Sequence, residues 1–188
     1  MVHSMEIERR FFIDGRSNKP WRDCIKSSLI KQYYLDFSSF QIGGRSLNYQ
    51  GVFLVELNDE EIKIISSSDN LTSRIRKIDD KAFLTMKEKI SHATAIELEW
   101  EIKTKNADDI IDLKSFPHIE KIRYYWVGLD NLVWEVDEFE GGLAGLILAE
   151  VELGDENQEV NLPHWLGMEL TGLANWSNAA LAKTLKNN

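Results

Sequence analysis

Charged side chains stand two residues apart at many points along the chain, with mostly large apolar residues between them. The first run holds Glu6, Glu8 and Arg10, and later runs are each of one sign: Arg74 and Arg76; Lys87 and Lys89; Glu97, Glu99 and Glu101; Lys121 and Arg123; Glu135 and Asp137; Glu150 and Glu152. Successive side chains of a strand point to opposite faces, so this spacing gathers each set of charges on one face. The pattern predicts a protein built mainly of strands, each with one charged face.

Composition limits the class of protein and its partners. A length of 188 residues fits one domain with a substantial core, and the net charge of −9 argues against nonspecific nucleic-acid binding. No apolar run is long enough to span a bilayer, and the N-terminus has no hydrophobic signal core, so we expect no membrane partner. The single cysteine, Cys24, excludes an internal disulfide and favours a cytoplasmic location. A homodimer is left open.

Many short strands alternate with few helices in the predicted order of elements. The predicted strands are Met5–Asp14, Ile30–Phe37, Gly51–Leu57, Glu60–Ile65, Thr72–Lys77, Ala82–Ile90, Ala95–Lys103, Glu120–Val127, Leu132–Phe139 and Leu146–Leu153. Helices are predicted after Pro20 (with Trp21, Cys24, Ile25, Ser28 and Leu29 on one face), from Asn106 to Pro117, and over Ser177–Leu185. This order predicts an α+β, mainly antiparallel fold whose sheet curls into a barrel with flanking helices.

Alternation alone does not tell which face of the sheet points into water. In an ordinary half-buried sheet Leu98 and Trp100 would enter the core, and Glu97, Glu99 and Glu101 would be solvated, which is what the pattern favours on its own. The alternative is a barrel with a polar interior and an apolar exterior covered by helices. It explains why charges are separated by sign, and it requires counter-ions such as divalent cations and a multiply charged phosphate inside.

Glu6-x-Glu8-x-Arg10 opens a series of motifs that continues in order along nearly the whole chain. The later ones are Gln32-Tyr33-Tyr34-Leu35, Arg74-Ile75-Arg76, Leu84-Thr85-Met86-Lys87, Glu97-Leu98-Glu99, Glu120-Lys121-Ile122-Arg123-Tyr124, Trp134-Glu135-Val136-Asp137-Glu138-Phe139, Leu148-Ala149-Glu150-Val151-Glu152-Leu153, Pro163-His164-Trp165-Leu166-Gly167, Met168-Glu169-Leu170-Thr171, and Ser177-Asn178 with Leu181-Ala182. This series resembles the CYTH family, also called triphosphate tunnel metalloenzymes, whose signature is ExExK. A single such motif is weak, but the ordered set is strong and favours inward-facing charges.

The resemblance implies an eight-stranded closed antiparallel β-barrel whose tunnel holds substrate and Mg²⁺ or Mn²⁺. Members of the family hydrolyse inorganic triphosphate or thiamine triphosphate, or cyclise ATP as class IV adenylate cyclases. Small single-domain members are most often tripolyphosphatases. The resemblance therefore predicts a divalent-metal-dependent triphosphatase that acts on a small triphosphate-containing substrate.

Roles can be transferred from the family motifs position by position. The phosphate-binding residues implied in this way are Arg10, Arg74, Arg76, Lys87 and Arg123, whose cations can grip phosphate oxygens. Lys121 and Tyr34 correspond to residues that orient or activate the attacking water. The implied metal ligands are Glu6, Glu8, Glu150 and Glu152, with Asp137, Glu97 and Glu99 as additional ligands or as groups that orient them.

Departures from the family pattern keep other functions open. Arg10 stands where the family has lysine and is a poor proton acceptor, and Ala95 stands where an arginine is expected. A hairpin insertion is predicted around residues 43–69 of a single domain spanning 1–188. Besides a tripolyphosphatase, the sequence allows a class IV adenylate cyclase, a thiamine triphosphatase, or a catalytically weak module that binds polyphosphate or a nucleotide.

Overall fold

The computed structural model describes residues 4–16, 18–69 and 71–186, and its main feature is a β-barrel. In chain order the strands are β1 (Ser4–Phe12), β2 (Lys26–Leu35), β3 (Phe40–Gly43), β4 (Ser46–Tyr49), β5 (Val52–Glu56), β6 (Thr72–Ile78), β7 (Lys81–Lys89), β8 (Thr94–Ile102), β9 (His118–Val127), β10 (Val133–Phe139) and β11 (Ile147–Glu152). The α-helices are α1 (Asp59–Ser67), α2 (Thr104–Ile111) and α3 (Asn178–Lys186). No helix among the described residues has both the length and the apolar character needed to cross a bilayer.

Eight strands close the barrel in the order β1-β11-β10-β9-β2-β6-β7-β8, and every neighbouring pair is antiparallel. The predicted eight-stranded antiparallel barrel is thus confirmed. The register brings opposite charges together across strands, with Arg10 opposite Glu150 and Asp137 opposite Arg123. Because the sheet closes on itself, the inner faces of all eight strands border one shared interior.

The apolar face of the barrel lies outside and is covered by other elements. Leu84, Met86 and Trp100 belong to a core cluster that extends to residues of the separate β3-β4-β5 sheet and to α1 and α2. Trp134 and Val151 belong to a second cluster on another side of the barrel, and α3 contributes to a third. The alternation therefore places apolar residues outward and charged residues inward, against the ordinary pattern of a half-buried sheet.

Two predicted elements were wrong. The helix predicted after Pro20 is only a single 3₁₀ turn, Pro20–Arg22, and Ser28 and Leu29 belong to β2. Trp21 is fully buried and Ser28 is buried within β2, whereas Ile25 and Leu29 are 71% and 50% exposed.

The second wrong element was the strand predicted over Glu60–Ile65, which lies in helix α1. This helix begins with a capping box, in which the Asn58 side chain accepts from the backbone of Glu61 and the Glu61 carboxylate accepts from the backbone of Asn58. Residues 43–69 therefore contain β4, β5 and α1 rather than a simple hairpin; that they are an insertion in a single domain stays a prediction.

A carboxylate on the outer face of β10 anchors the 3₁₀ turn that precedes β2. Glu138 accepts hydrogen bonds from Trp21 Nε1 (2.9 Å), Arg22 Nη2 (2.6 Å) and Lys19 Nζ (3.1 Å). Burial alone would raise the pKa of the Glu138 carboxyl, but these donors outweigh it and lower the pKa to about 2. The stabilisation that this network provides is complete above the unfolded-state pKa of 4.5 and is lost as the pH falls through about 2.

Replacing Glu138 by glutamine should therefore lower the free energy of unfolding at pH 7 by about 1–2 kcal/mol, because Arg22 is half exposed and its contribution is screened. The difference from the wild-type protein should shrink between pH 4.5 and pH 2. Urea unfolding at several pH values measures it. The exposed neighbour Glu140, changed to glutamine, is the control. Equal pH dependence for E138Q and wild type would contradict the assignment.

Candidate active site

A cavity of about 300 Å³ lies where the barrel interior meets residues 171–179, the covering segment. Its wall includes five of the side chains predicted to form a site: Glu8, Arg10, Tyr34, Arg74 and Lys87. These residues come from β1, β2, β6 and β7, and each is one of the alternate positions that face the interior. The remaining wall is formed by Thr72 and Thr85, by the turn between β7 and β8, and by residues 171–174 and 177–179.

Arg74 is a buried cation whose charge is only loosely balanced. Its closest carboxylate is that of Glu97, at 4.0 Å from Nη2, and its buried Nε donates to no group among the described residues. The Nε of Arg76, two residues further along β6, is also buried without a partner in the described structure, although its Nη2 pairs with Glu99. Unpaired buried donors are costly unless a ligand satisfies them, so β6 presents donors for an anion.

A second group of charges is sequestered in the barrel wall. Lys121 is 0% exposed and its Nζ donates to Asp137, which is 1% exposed. Arg123 donates to both oxygens of Asp137 at 2.7 Å and also pairs with Glu135 and with Glu150 (3.2 Å). Burial, together with the charge of Arg123, lowers the pKa of Lys121 to about 8, although Asp137 opposes the shift. These groups hold one another and leave little capacity for a ligand.

Arg10 connects this buried group to the cavity. Its Nε donates to Glu150 at 2.6 Å and its Nη2 donates to Glu8 at 3.0 Å. Burial would raise the pKa of Glu150, but Arg10 and Arg123 outweigh it and hold the pKa well below its usual range. Arg10 is thus fixed by two carboxylates at the cavity wall, as a preorganised anion site requires.

Lys87 lies on β7, two strands from β1, and pairs with the carboxylates of β1. Its Nζ donates to Glu6 and lies 3.6 Å from Glu8. The carboxylates of β1 therefore pair both with Arg10 of the same strand and with Lys87 of β7. In the strand order, β6 and β7 carry basic inward side chains and are neighbours, and the carboxylate-bearing strands β8, β1, β11 and β10 follow them around the barrel.

Carboxylates are in local excess at one place in the barrel. Glu152 forms no ion pair with any described residue, and desolvation followed by repulsion from Glu135, Glu6, Glu97 and Glu8 raises its pKa. Desolvation also raises the pKa of Glu8, with a further contribution from Glu150. Bringing like charges together in this way is unfavourable unless a cation lies among them.

This donor set fits a divalent cation whose remaining ligands come from water or from a bound anion. Across residues 4–16, 18–69 and 71–186, no three His, Cys, Asp or Glu side chains converge closely enough to hold a metal ion by themselves. Mg²⁺ is commonly held by one or two carboxylates, several waters and phosphate oxygens, and so needs no complete protein cage. Glu152 and the carboxylates that influence it would offer hard oxygen ligands of that kind.

The structure thus divides the predicted site residues into groups. Five of them line the cavity: Glu8, Arg10, Tyr34, Arg74 and Lys87. The other predicted residues are not among those that line it: Glu6, Arg76, Glu97, Glu99, Lys121, Arg123, Asp137, Glu150 and Glu152. Both oxygens of Asp137 are occupied by cations, which favours a positioning role over the metal-ligand role transferred from the family.

Sequence reasoning assigned no site role to several cavity residues, among them Thr72, Lys89, His92 and Asn178. Of these, Thr72 and Lys89 follow the same two-residue spacing as the predicted residues of β6 and β7. The other two lie in irregular or capping segments that no alternation identifies.

The chain resembles proteins of known activity along almost its whole length. It is 40% identical over 179 residues to the inorganic triphosphatase of Acetivibrio thermocellus, covering 95% of this chain and 93% of that protein. The inorganic triphosphatase of Nitrosomonas europaea is 28% identical over 124 residues, which cover 65% and 82% of the two chains. A crystal structure of an inorganic triphosphatase superposes with a TM-score of 0.57 at 24% identity, over 97% and 95% of the chains, and supports the fold. No protein-family model matches the chain.

The fold and the site define a closed antiparallel barrel with a charged interior, in which Arg10, Arg74 and Lys87 line a cavity. The chain belongs to the CYTH, or triphosphate tunnel metalloenzyme, family.

Proposed function

We propose that the protein is a phosphoanhydride hydrolase that cleaves inorganic triphosphate in the barrel lumen with the help of Mg²⁺ or Mn²⁺. The observation that carries the proposal is the buried guanidinium of Arg74, which faces the cavity with an unpaired Nε and no carboxylate closer than 4.0 Å. Such a donor is satisfied by an anion of high charge density. The curated relative that is 40% identical is an inorganic triphosphatase, which makes triphosphate the best-supported anion.

The cations at the cavity would bind and orient the phosphate chain. Phosphoryl transfer depends mostly on positioning and on neutralising the charge that develops on phosphate oxygens. Arg74 offers a guanidinium whose Nε has no partner among the described residues, and Arg10 is held at the wall by Glu8 and Glu150. Lys87 supplies a third positive charge on the same cavity.

Tyr34 is the residue best placed to orient an attacking water. Its phenol lies on the cavity wall and donates to Gln32 Oε1 at 3.1 Å, which leaves its oxygen able to accept a hydrogen bond. Lys121, by contrast, is enclosed with Asp137 and Arg123. We assign Lys121 a positioning role: it fixes the ion-pair group that in turn orients Glu150 and Arg10.

A divalent cation would bind in the part of the lumen that carries Glu152, Glu6, Glu8 and Glu97, with one or two of these carboxylates as ligands and with water and phosphate oxygens as the others. When bound, it would neutralise phosphate charge and act as a Lewis acid at a phosphoryl oxygen. The protein side chains hold the carboxylates in place from the other side, since Lys87 pairs with Glu6 and Arg10 pairs with Glu8.

Glu152→Gln should raise the Mg²⁺ or Mn²⁺ concentration needed for half-maximal activity about tenfold, because it removes a charged oxygen ligand that no described cation neutralises. Metal-activation curves at saturating tripolyphosphate measure the effect, and isothermal titration of metal into the substrate complex gives an independent value. Glu159→Gln, at an exposed position of the following loop, is the control. Identical activation curves for both variants would exclude Glu152 as a ligand.

Phosphate release from three substrates, together with one assay for cyclic AMP, tests the function itself. The protein is incubated with tripolyphosphate, ATP or thiamine triphosphate and Mg²⁺ or Mn²⁺, and cyclic AMP formation from ATP is measured alongside. We expect the highest kcat/KM with tripolyphosphate and loss of activity with a chelator. Cyclic AMP as the main product would instead identify an adenylate cyclase, preference for thiamine triphosphate would identify a thiamine triphosphatase, and binding without turnover would identify a binding module.

A further inference from the structure

Helix α3 begins at the wall of the cavity. The carbonyl of Ser177 accepts from Leu181 N at 3.0 Å and its Oγ accepts from Ala180 N at 3.2 Å, so Ser177 is the N-cap. Asn178 and Ala179 are the first two helical residues, whose backbone N–H groups have no partner within a helix. Ser177, Asn178 and Ala179 all line the cavity. Two backbone donors at a helix N-terminus therefore lie beside the space enclosed by the barrel cations.

The side chain of Asn178 is buried at the same point without a hydrogen bond. It is 8% exposed, and its Oδ1 has no partner among the described residues. None of the described groups accepts from its amide nitrogen either. An amide buried in this way costs free energy unless a ligand or ordered water completes its hydrogen bonds. Asn178 lines the cavity from the covering segment, and Arg74, with its unpaired Nε, lines the same cavity from the barrel.

The segment that carries Asn178 is fastened to the barrel. Arg10 Nη1 donates to the carbonyl of Trp176 at 3.2 Å, and the backbone N–H of Leu170 donates to the carbonyl of Arg10 at 2.7 Å. Lys89 Nζ donates to the carbonyl of Gly172 at 3.1 Å. Arg10 is thus bound both to the barrel carboxylates and to the turn just before α3, which fixes the helix N-terminus relative to the cations.

We propose that the N-terminus of α3 and the Asn178 amide form a binding subsite for the phosphate group at the end of the substrate chain that faces the covering segment. The proposal rests on the proposed triphosphatase function and adds a substrate-binding residue outside the barrel strands. Backbone N–H groups and the helix dipole both favour an anion at this position. The amide nitrogen of Asn178 donates to a phosphate oxygen, and its Oδ1 accepts from a bound water or a protonated phosphate oxygen.

Binding of inorganic tripolyphosphate to the full-length protein tests this subsite. Asn178→Leu keeps the size of the side chain but removes its hydrogen bonds, and it should raise both Kd and KM for tripolyphosphate about tenfold, which corresponds to about 1.4 kcal/mol. Asn178→Asp keeps the shape but places a negative charge beside the phosphate, and it should weaken binding at least as much. Asn175→Leu, at the exposed asparagine three residues earlier, is the matched control and should leave both constants unchanged.

Several outcomes would overturn the subsite. An unchanged Kd in Asn178→Leu or Asn178→Asp would show that Asn178 does not contact the substrate. Tighter binding by the aspartate variant would indicate that position 178 faces a cation or a hydrogen-bond donor rather than a phosphate oxygen. Thermal unfolding checks that the variants fold. If Asn178→Leu does not fold, the Kd values of Asn178→Asp and Asn178→Ser for tripolyphosphate test the subsite instead, and unchanged values would contradict it. Because Kd is measured without turnover, the result stays separate from the proposed function, which fails if wild-type protein binds tripolyphosphate but does not cleave it.

Discussion

Asp137→Asn is expected to lower the free energy of unfolding by about 3–5 kcal/mol, the largest stability effect that we predict for a single substitution. Asp137 accepts from Lys121 and from two nitrogens of Arg123, and all three side chains are buried in the barrel wall. Removing the central negative charge leaves two buried cations with only Glu135 and Glu150 to balance them. An amide of the same shape cannot restore that balance, because it carries no charge and can accept through only one oxygen.

Urea unfolding of Asp137→Asn measures this cost, and the Lys31–Glu120 pair provides the control. That pair has a similar distance, 2.8 Å, but both side chains are more than a third exposed. Glu120→Gln should therefore cost at most about 1 kcal/mol. An equal loss of unfolding free energy in the two variants would contradict the account, because the cost of Asp137→Asn would then not arise from burial of its ion pairs.

Arg74→Gln is expected to lower kcat/KM for tripolyphosphate by about 100- to 1000-fold, the largest effect on activity that we predict, while stability changes by less than about 1 kcal/mol. Arg74 has no close ion pair to lose, because Glu97 is 4.0 Å away, and its Nε has no partner in the described structure. Glutamine keeps some hydrogen bonding but removes the charge that would stabilise the transferring phosphoryl group.

Lys77→Gln is the matched control for this experiment. Lys77 lies on the same strand as Arg74, at the opposite alternation, and pairs with Asp108 of α2 outside the barrel. Steady-state kinetics with Mg²⁺ and tripolyphosphate should show a large loss for Arg74→Gln and none for Lys77→Gln. A small loss in Arg74→Gln, or an equal loss in both variants, would mean that the inner face of β6 does not bind substrate.

The strand pattern could be predicted from local sequence, but the side of the sheet that faces inward could not. Glu97, Glu99 and Glu101 alternate with apolar residues such as Leu98 and Trp100 in the same way whether the carboxylates face water or a lumen. The answer depends on closure of the barrel and on the elements that cover its outside, which involve residues far apart in sequence. Only the resemblance to a family supplied that long-range information.

The helix α1 shows the opposite case, in which a local signal was present and overlooked. Asn58 followed three residues later by Glu61 is a capping-box pattern, and it marks the helix that was predicted as a strand. After Pro20, by contrast, a helix was predicted where the chain forms a short 3₁₀ turn and then β2. The spacing of Trp21, Ile25 and Leu29 suits a helix face, yet β2 pairs with both β6 and β9, and tertiary pairing outweighed the local preference.

Within the site, residue types were predicted better than residue roles. Lys121 and Arg123 have the spacing of inward-facing phosphate ligands, but the register places Asp137 opposite Arg123 and sequesters both cations. Whether an inward cation is free or paired depends on the neighbouring strand, which sequence spacing does not specify. Asn178 could not be predicted to reach the cavity, because its position depends on how residues 167–177 run beside β1.

A crystal structure of the protein with inorganic tripolyphosphate tests the central claim most directly, since that claim concerns where the anion binds. We expect the phosphate chain inside the barrel, within hydrogen-bond distance of Arg10, Arg74 and Lys87, at the 300 Å³ cavity. An anion bound only on the outer surface, with the same three side chains still paired to carboxylates or to water alone, would contradict the account.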